Sequence, residues 1–368
     1  MILDNFLHHD HHHFQRIDGS ISADHQAKLA WRRLRRSLHT DPPDGGTLKP
    51  ECILMKSKLS FKRFDAELNT DVCDAYNNAE LTLTLRMGFR QINPAGGAAE
   101  GTYNDYGDAT APSRKIIKWT DASWTAWKAN FVQSAQSFWN GKFWLINDAG
   151  AFSFTQAGET YYPNVWCRFK LIGNEANAAG NHHTIDVVRL HASESWFGSH
   201  STLYDSKDTN LNKKRTDSKG KSVMQRAHVH EVGHLLGLDH VDVGKPHCLP
   251  TTNTNASACY GIADVDMRSV MGSGMELREE NAYPWREALR NITAWELLTA
   301  LLNSTPNVAS ATANLIAAIG GGPRQSLQIP VVLLTAVWPA KMKRHYPRTA
   351  EEIKAGKMIV SWPVRRVA

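Results

Sequence analysis

Residues 222–240 read Ser-Val-Met-Gln-Arg-Ala-His-Val-His-Glu-Val-Gly-His-Leu-Leu-Gly-Leu-Asp-His, and this stretch constrains the chain more than any other. It contains the pattern H-E-x-x-H-x-x-G-x-x-H, made by His230, Glu231, His234, Gly237 and His240. On an α-helix, residues four apart share a face and are separated by a rise of about 6 Å, so His230 and His234 can point their imidazoles at one metal ion. Glu231, one step round the helix, reaches the space beside that ion without being a ligand, which is where a general base must sit. Gly237 permits the positive φ that residues with a Cβ resist, so the helix can stop and the chain can turn back with His240 as third ligand. Three protein ligands leave one position of a tetrahedral zinc open, which marks a catalytic rather than a structural site. One Zn2+ ion is therefore the expected cofactor.

Ser222 and Gln225 have the spacing of a capping box, which puts the start of this helix at Ser222. Downstream, Ser269-Val270-Met271-Gly272 lies about thirty residues beyond His240. The eleven-residue motif and this segment together resemble the metzincin clan of zinc metallopeptidases, in which a tight turn carries a methionine beneath the zinc ligands. Met271 is the expected turn methionine, with Met267 and Met275 as alternatives. The resemblance implies an α+β fold: a bilobed catalytic domain with a mixed twisted sheet and long helices above a smaller, irregular C-terminal lobe. It also implies a zinc-dependent endopeptidase acting on protein or peptide substrates, with a zinc-bound water as nucleophile and Glu231 as general base. The specific motifs cover residues 222–275 and the architecture roughly residues 80–305. The chain departs from astacin-like and serralysin-like members, because Val241 follows His240 and Ser273 stands two residues after Met271, where those branches carry a tyrosine.

Three regions are expected. Residues 1–50 form an N-terminal extension, with a histidine-rich tract (His8, His9, His11, His12 and His13), a short basic helix over 23–38 and a break at Pro42-Pro43-Asp44-Gly45-Gly46. Residues 51–305 form the catalytic domain, its upper lobe running to about residue 237, and 306–368 a C-terminal appendage, whose last forty-five residues, beyond the punctuation at Gly320-Gly321-Gly322-Pro323 and including the apolar stretches 329–337 and 358–364, read as β-rich. Within the domain, Glu80 to Phe89 alternates as a strand with one buried face. After a Gly/Ala-rich loop, Trp124, Trp127, Phe131, Ala135, Phe138 and Trp139 lie at helical spacing over 122–139. Further strands are expected at 143–146, 165–172, 185–190 and 201–204. The stretch 198–205 is the expected edge strand for an extended peptide, 206–221 an exposed loop, and 285–303 a helix.

Hydrophobic residues make up 42% of the 368 positions, with 12 Trp and 12 Phe, which is enough for a large core and excludes a disordered chain. The net charge of +6 is modest, and its clusters at Arg32, Arg33, Arg35 and Arg36 and at Arg365 and Arg366 read as solvated faces, so no specific nucleic acid is expected. No apolar run is long enough for a membrane span, and no signal peptide is visible. The resemblance implies action outside the producing cell, by secretion or another delivery route, with a cytoplasmic location left open. Cys52 or Cys73 is a candidate thiolate for a latency segment, though neither sits in a latency motif. Cys248 and Cys259 flank a polar loop and either pair in an oxidising compartment or remain thiols. Oligomeric state is not written in the sequence. A second reading stays open, in which the chain is a catalytically silent zinc-containing binding or structural component of a larger assembly; a third makes it a nucleic-acid or membrane-surface binder using its basic ends.

Overall fold

The computed structural model describes residues 55–70, 79–145, 154–156, 159–161, 165–195, 202–304 and 331–333. The histidine-rich tract, the helix over 23–38, the break at 42–46, Cys52, Cys73, His200, the Gly320–Pro323 segment and the apolar stretch 358–364 lie outside these residues. The described chain is a mixed α/β protein with a mixed sheet and few helices. Its strands are β1 (Met55–Ser60), β2 (Asp65–Thr70), β3 (Ala79–Ile92), β4 (Glu100–Asn104), β5 (Ser113–Ile117), β6 (Phe143–Leu145), β7 (Phe154–Gln156), β8 (Glu159–Tyr161), β9 (Val165–Glu175), β10 (His183–Val188), β11 (Leu203–Asp205), β12 (Asn212–Thr216), β13 (Ser222–Gln225) and β14 (Val331–Leu333). Its helices are α1 (Asp121–Trp139), α2 (Ala227–Leu235), α3 (Asp264–Met267) and α4 (Tyr283–Ser304). Among the described residues no helix is long and apolar enough to cross a membrane.

Among the described residues, those within 83–142 and 168–284 form one compact unit, and those within 1–82, 143–167 and 285–368 the other. The first unit is built on the longest strand. Along β3 the residues Leu83, Leu85, Met87 and Phe89 are buried while the intervening Thr84 and Arg86 are half-buried, so the alternation in sequence becomes one covered face. That face receives α1. Phe89 meets Trp127 at 5.7 Å and Phe131 at 5.2 Å in edge-on geometry, while Trp124 and Trp127 stack at 5.6 Å. Trp124, Trp127, Phe131, Ala135 and Trp139 are buried, and Phe138 falls at the half-buried margin of the stripe. The helix begins where Thr120 and Ser123 cap each other reciprocally. It ends at Asn140 in extended conformation, followed by Gly141 at φ 70°.

In this unit β9, β3, β10 and β11 are neighbours in that order. The pairs β3–β10 and β10–β11 are parallel, with His183 opposite Met87 and Asp186 opposite Leu203. Among the described residues β11 pairs with β10 alone, so the outermost place expected for residues 198–205 is taken by Leu203–Asp205. Two stretches differ from expectation. The region after β3 holds the β4–β5 ladder, and the supposed loop 206–221 supplies β12, one arm of a hairpin with β13. Both are two-stranded antiparallel ladders whose first arms, β4 and β12, consist mostly of polar, half-exposed residues, so these arms leave little hydrophobic alternation to read.

In the other unit β1 and β2 form an antiparallel pair, from Met55 opposite Thr70 to Ser60 opposite Asp65. Strand β6 lies between the first residues of β9, with Phe143 opposite Cys167, and β14, with Leu333 opposite Phe143. Val331–Leu333, from the C-terminal appendage, is thus a strand of this sheet. The rings of Phe143 and Trp285, at the head of α4, meet at 5.6 Å.

Candidate metal centre

The helix that carries the motif starts four residues later than the capping-box spacing suggests, with its N-cap at Arg226 and not at Ser222. Ser222–Gln225 is a strand, Arg226 is the N-cap in extended conformation with no side-chain cap, and α2 runs over Ala227–Leu235. Gln225 faces inward from β13, and its amide nitrogen lies 3.2, 3.0 and 3.2 Å from the carbonyl oxygens of Val270, Gly272 and Gly274. A buried side-chain amide therefore satisfies the turn containing Met271 where a helix cap was expected. The helix spans only nine residues and is buried on almost every side, so its stability comes from packing rather than from length. It stops at Leu236, and Gly237 takes φ 99°, the left-handed backbone anticipated for the turn towards His240.

The three histidines converge. His234 Nε2 lies 3.1 Å from His230 Nε2 and 3.0 Å from His240 Nε2, and among the described residues these three have ligand atoms within metal-binding reach of one another. Each ring is held from behind through Nδ1–H. His230 donates to Val270 O, His234 to Leu238 O and His240 to Thr254 O, each at 2.7 Å. A proton on Nδ1 leaves the Nε2 lone pair bare in a neutral imidazole. Contacts of 3.0–3.1 Å between Nε2 atoms are then not hydrogen bonds but three lone pairs facing one point. Such an arrangement is repulsive unless a cation lies between them. Tetrahedral zinc with Zn–N of about 2.0–2.1 Å sets its nitrogens about 3.3 Å apart, so the donor set fits that ion. Burial, with help from the neighbouring imidazoles, holds His230 well below its ordinary pKa and His240 at about 4, in the neutral form that ligation requires.

Met271 is 2% exposed, whereas Met267 and Met275 are half-buried. A Cβ built on Gly233 would come within 2.4 Å of Met271 Sδ and 3.2 Å of Trp139 Cζ2, so the bare backbone of Gly233 is where the helix rests on the methionine. Replacing Met271 by Ala should open a cavity there and destabilise the protein by about 2–5 kcal/mol in denaturant unfolding, with Met275→Ala costing clearly less. The reverse order of effects would place the floor of the site on the wrong methionine.

Glu231 is 7% exposed, and burial pushes its carboxyl up to about 8, with the Lys214 ammonium pulling the other way. A dication held by the neighbouring histidines would favour the carboxylate further. Sequence reasoning missed Tyr260, whose ring lies 3.8 Å from that of His240 and 5.7 Å from that of His230. Burial, and secondarily the Glu231 charge, pushes its phenol up to about 12. Nothing in local spacing marks this residue, because it arrives from the loop before Met271.

His228 is on the helix but is not a ligand. Its Nδ1–H donates to Asp208 O at 3.0 Å, its Nε2 accepts from the Ser134 hydroxyl at 2.6 Å, and burial lowers it to about 4. It ties α2 to α1, as does the Trp139 indole N–H donated to Val229 O at 3.2 Å. His247 pairs with Asp242 at 2.8 Å rather than with the triad. Cys248 and Cys259 form a disulfide. No protein-family model, curated protein or solved structure matches this chain.

Proposed function

We propose that this chain is a zinc-dependent endopeptidase with a metzincin-like architecture, residues 51–305 forming its catalytic domain and His230, His234 and His240 holding one zinc ion. The observation that carries the reading is the convergence of three Nε2 atoms, each ring fixed through its Nδ1–H, beside the buried carboxyl group of Glu231. A purely structural site would use a fourth protein ligand and would need no base. Zinc, when bound, supplies Lewis acidity towards a peptide carbonyl and a nucleophile near neutral pH.

The remaining work belongs to the chain. Glu231, in a desolvated position next to His230, takes the proton of the attacking water and delivers it to the departing amine. The Met271 turn, packed on Gly233, keeps the ligand helix from shifting as substrate enters and leaves.

The test is hydrolysis of a quenched peptide library by protein carrying one zinc per chain. Cleavage should stop with a zinc chelator and return on adding zinc. Stoichiometric zinc without cleavage of any peptide or unfolded protein would overturn the enzyme reading and leave a zinc-containing binding module.

A further inference from the structure

The three ligands are not supported alike. His230 leans on Val270 O within the buried Met271 turn, and His234 on Leu238 O in the turn that ends its own helix. His240 leans on Thr254 O, which belongs to a polar segment whose residues 249–253 and 255 are exposed. The hydrogen bonds within that segment are short-range, such as Thr252 N–H to Leu249 O at 3.0 Å and Asn255 N–H to the Asn253 side chain at 3.0 Å. What returns it to the body are its ends. Cys248 and Cys259 are both 1% exposed and covalently joined; Gly244 N–H donates to Cys248 O at 2.8 Å and Asp242 N–H to Cys259 O at 3.1 Å. Tyr260, the residue after the second cysteine, is the one whose ring covers His240. Arg215 of β12 adds a long side-chain tether, donating to Gly261 O at 3.0 Å and to Ser257 O.

From this we infer that Cys248 and Cys259 are positioning residues for the third metal ligand, so that metal affinity depends on the redox state of their bond. This rests on the metal reading above but not on peptidase activity. Reduction by a dithiol moves two electrons and two protons onto the cysteine sulfurs as the reagent closes to its own disulfide. The segment carrying Thr254 O then loses the covalent closure of its ends and keeps the backbone hydrogen bonds of Cys248 and Cys259 and the Arg215 tether, so the acceptor that fixes the tautomer and ring plane of His240 is held less firmly. Losing an outer partner of a metal ligand typically weakens binding about 10–100-fold, and a graded loss is expected because the Arg215 tether remains.

The experiment uses the full chain with His8, His9, His11, His12 and His13 replaced by Asn in every sample, so that the tract cannot scavenge metal. Zinc affinity is measured by competition with a chromophoric chelator for the oxidised protein, the dithiol-reduced protein and the Cys248→Ala/Cys259→Ala variant, with circular dichroism on each. The expected result is a 10–100-fold weaker affinity in the last two with the fold retained, restored by reoxidation in the reduced sample and indifferent to the dithiol in the variant. Equal affinity in all three would overturn the inference. So would loss of the whole fold on reduction, since the bond would then hold the domain and not one ligand. If the variant alone fails to fold, the reduced protein decides. An oxidised protein that binds no zinc would sink the metal reading itself and this inference with it, a result distinct from equal, tight binding in all forms.

Discussion

Replacing His234 by Ala should strip the protein of zinc while leaving the chain folded. His234 Nε2 sits between the other two, 3.1 Å from His230 and 3.0 Å from His240, so its removal leaves two lone pairs without the atom that closes the set. Loss of a ligand should cost more than the roughly 10–100-fold that loss of an outer partner costs. Elemental analysis should give about one zinc per chain for wild type and little for the variant, again with the N-terminal histidines replaced. Unfolding supplies an independent reading. A ligand present at about 1,000 times its dissociation constant stabilises the native state by about 4 kcal/mol, so zinc should raise the wild-type melting temperature and leave that of the variant unmoved. The metal-free proteins should rank the other way. Three converging lone pairs repel, and deleting one imidazole relieves that repulsion, so metal-free His234→Ala should melt no lower than metal-free wild type. Full zinc occupancy in the variant would remove the assignment.

The parts of this site that were legible are those encoded within a turn or two of chain. The i, i+4 spacing of His230 and His234 and the positive φ at Gly237 follow from helix geometry alone. The same holds for the alternation of β3 and the aromatic stripe of α1, where a period of two or of 3.6 residues is written in residue type. Ser222 and Gln225 misled because the spacing that makes a capping box also suits a strand: Val223 and Gln225 are buried, and the pairing partner, Asn212–Thr216, is polar and separated by a turn. The carbonyls of Val270, Leu238 and Thr254 were invisible for a deeper reason. Any residue supplies a carbonyl, so backbone acceptors leave no trace in sequence, although they decide which nitrogen of each histidine is bare. Tyr260 was hidden similarly, placed by a loop whose path is set by a disulfide and by Arg215.

Glu231→Gln separates chemistry from construction. The amide has the size of the carboxylate and can still donate and accept hydrogen bonds, but it cannot take a proton from water. Because the side chain is 7% exposed, wild type bears the cost of keeping an ionisable group out of water, and burial pushes that group up to about 8. The neutral amide escapes most of that cost. Zinc content should therefore be unchanged and stability equal or higher, while turnover of a quenched peptide falls by at least about 10²–10⁴, the range expected for a general acid–base group. Opposite signs for stability and activity are the informative outcome, since a residue kept for packing or for a salt bridge with Lys214 would lose both together when changed. Metal-replete wild type and variant should be assayed side by side, with zinc measured in each sample. A variant that keeps a near-normal rate would assign Glu231 to structure, and the proton would have to travel by way of another group, with Tyr260 the first to examine because its ring already lies against His240 and its phenol is within the field of Glu231.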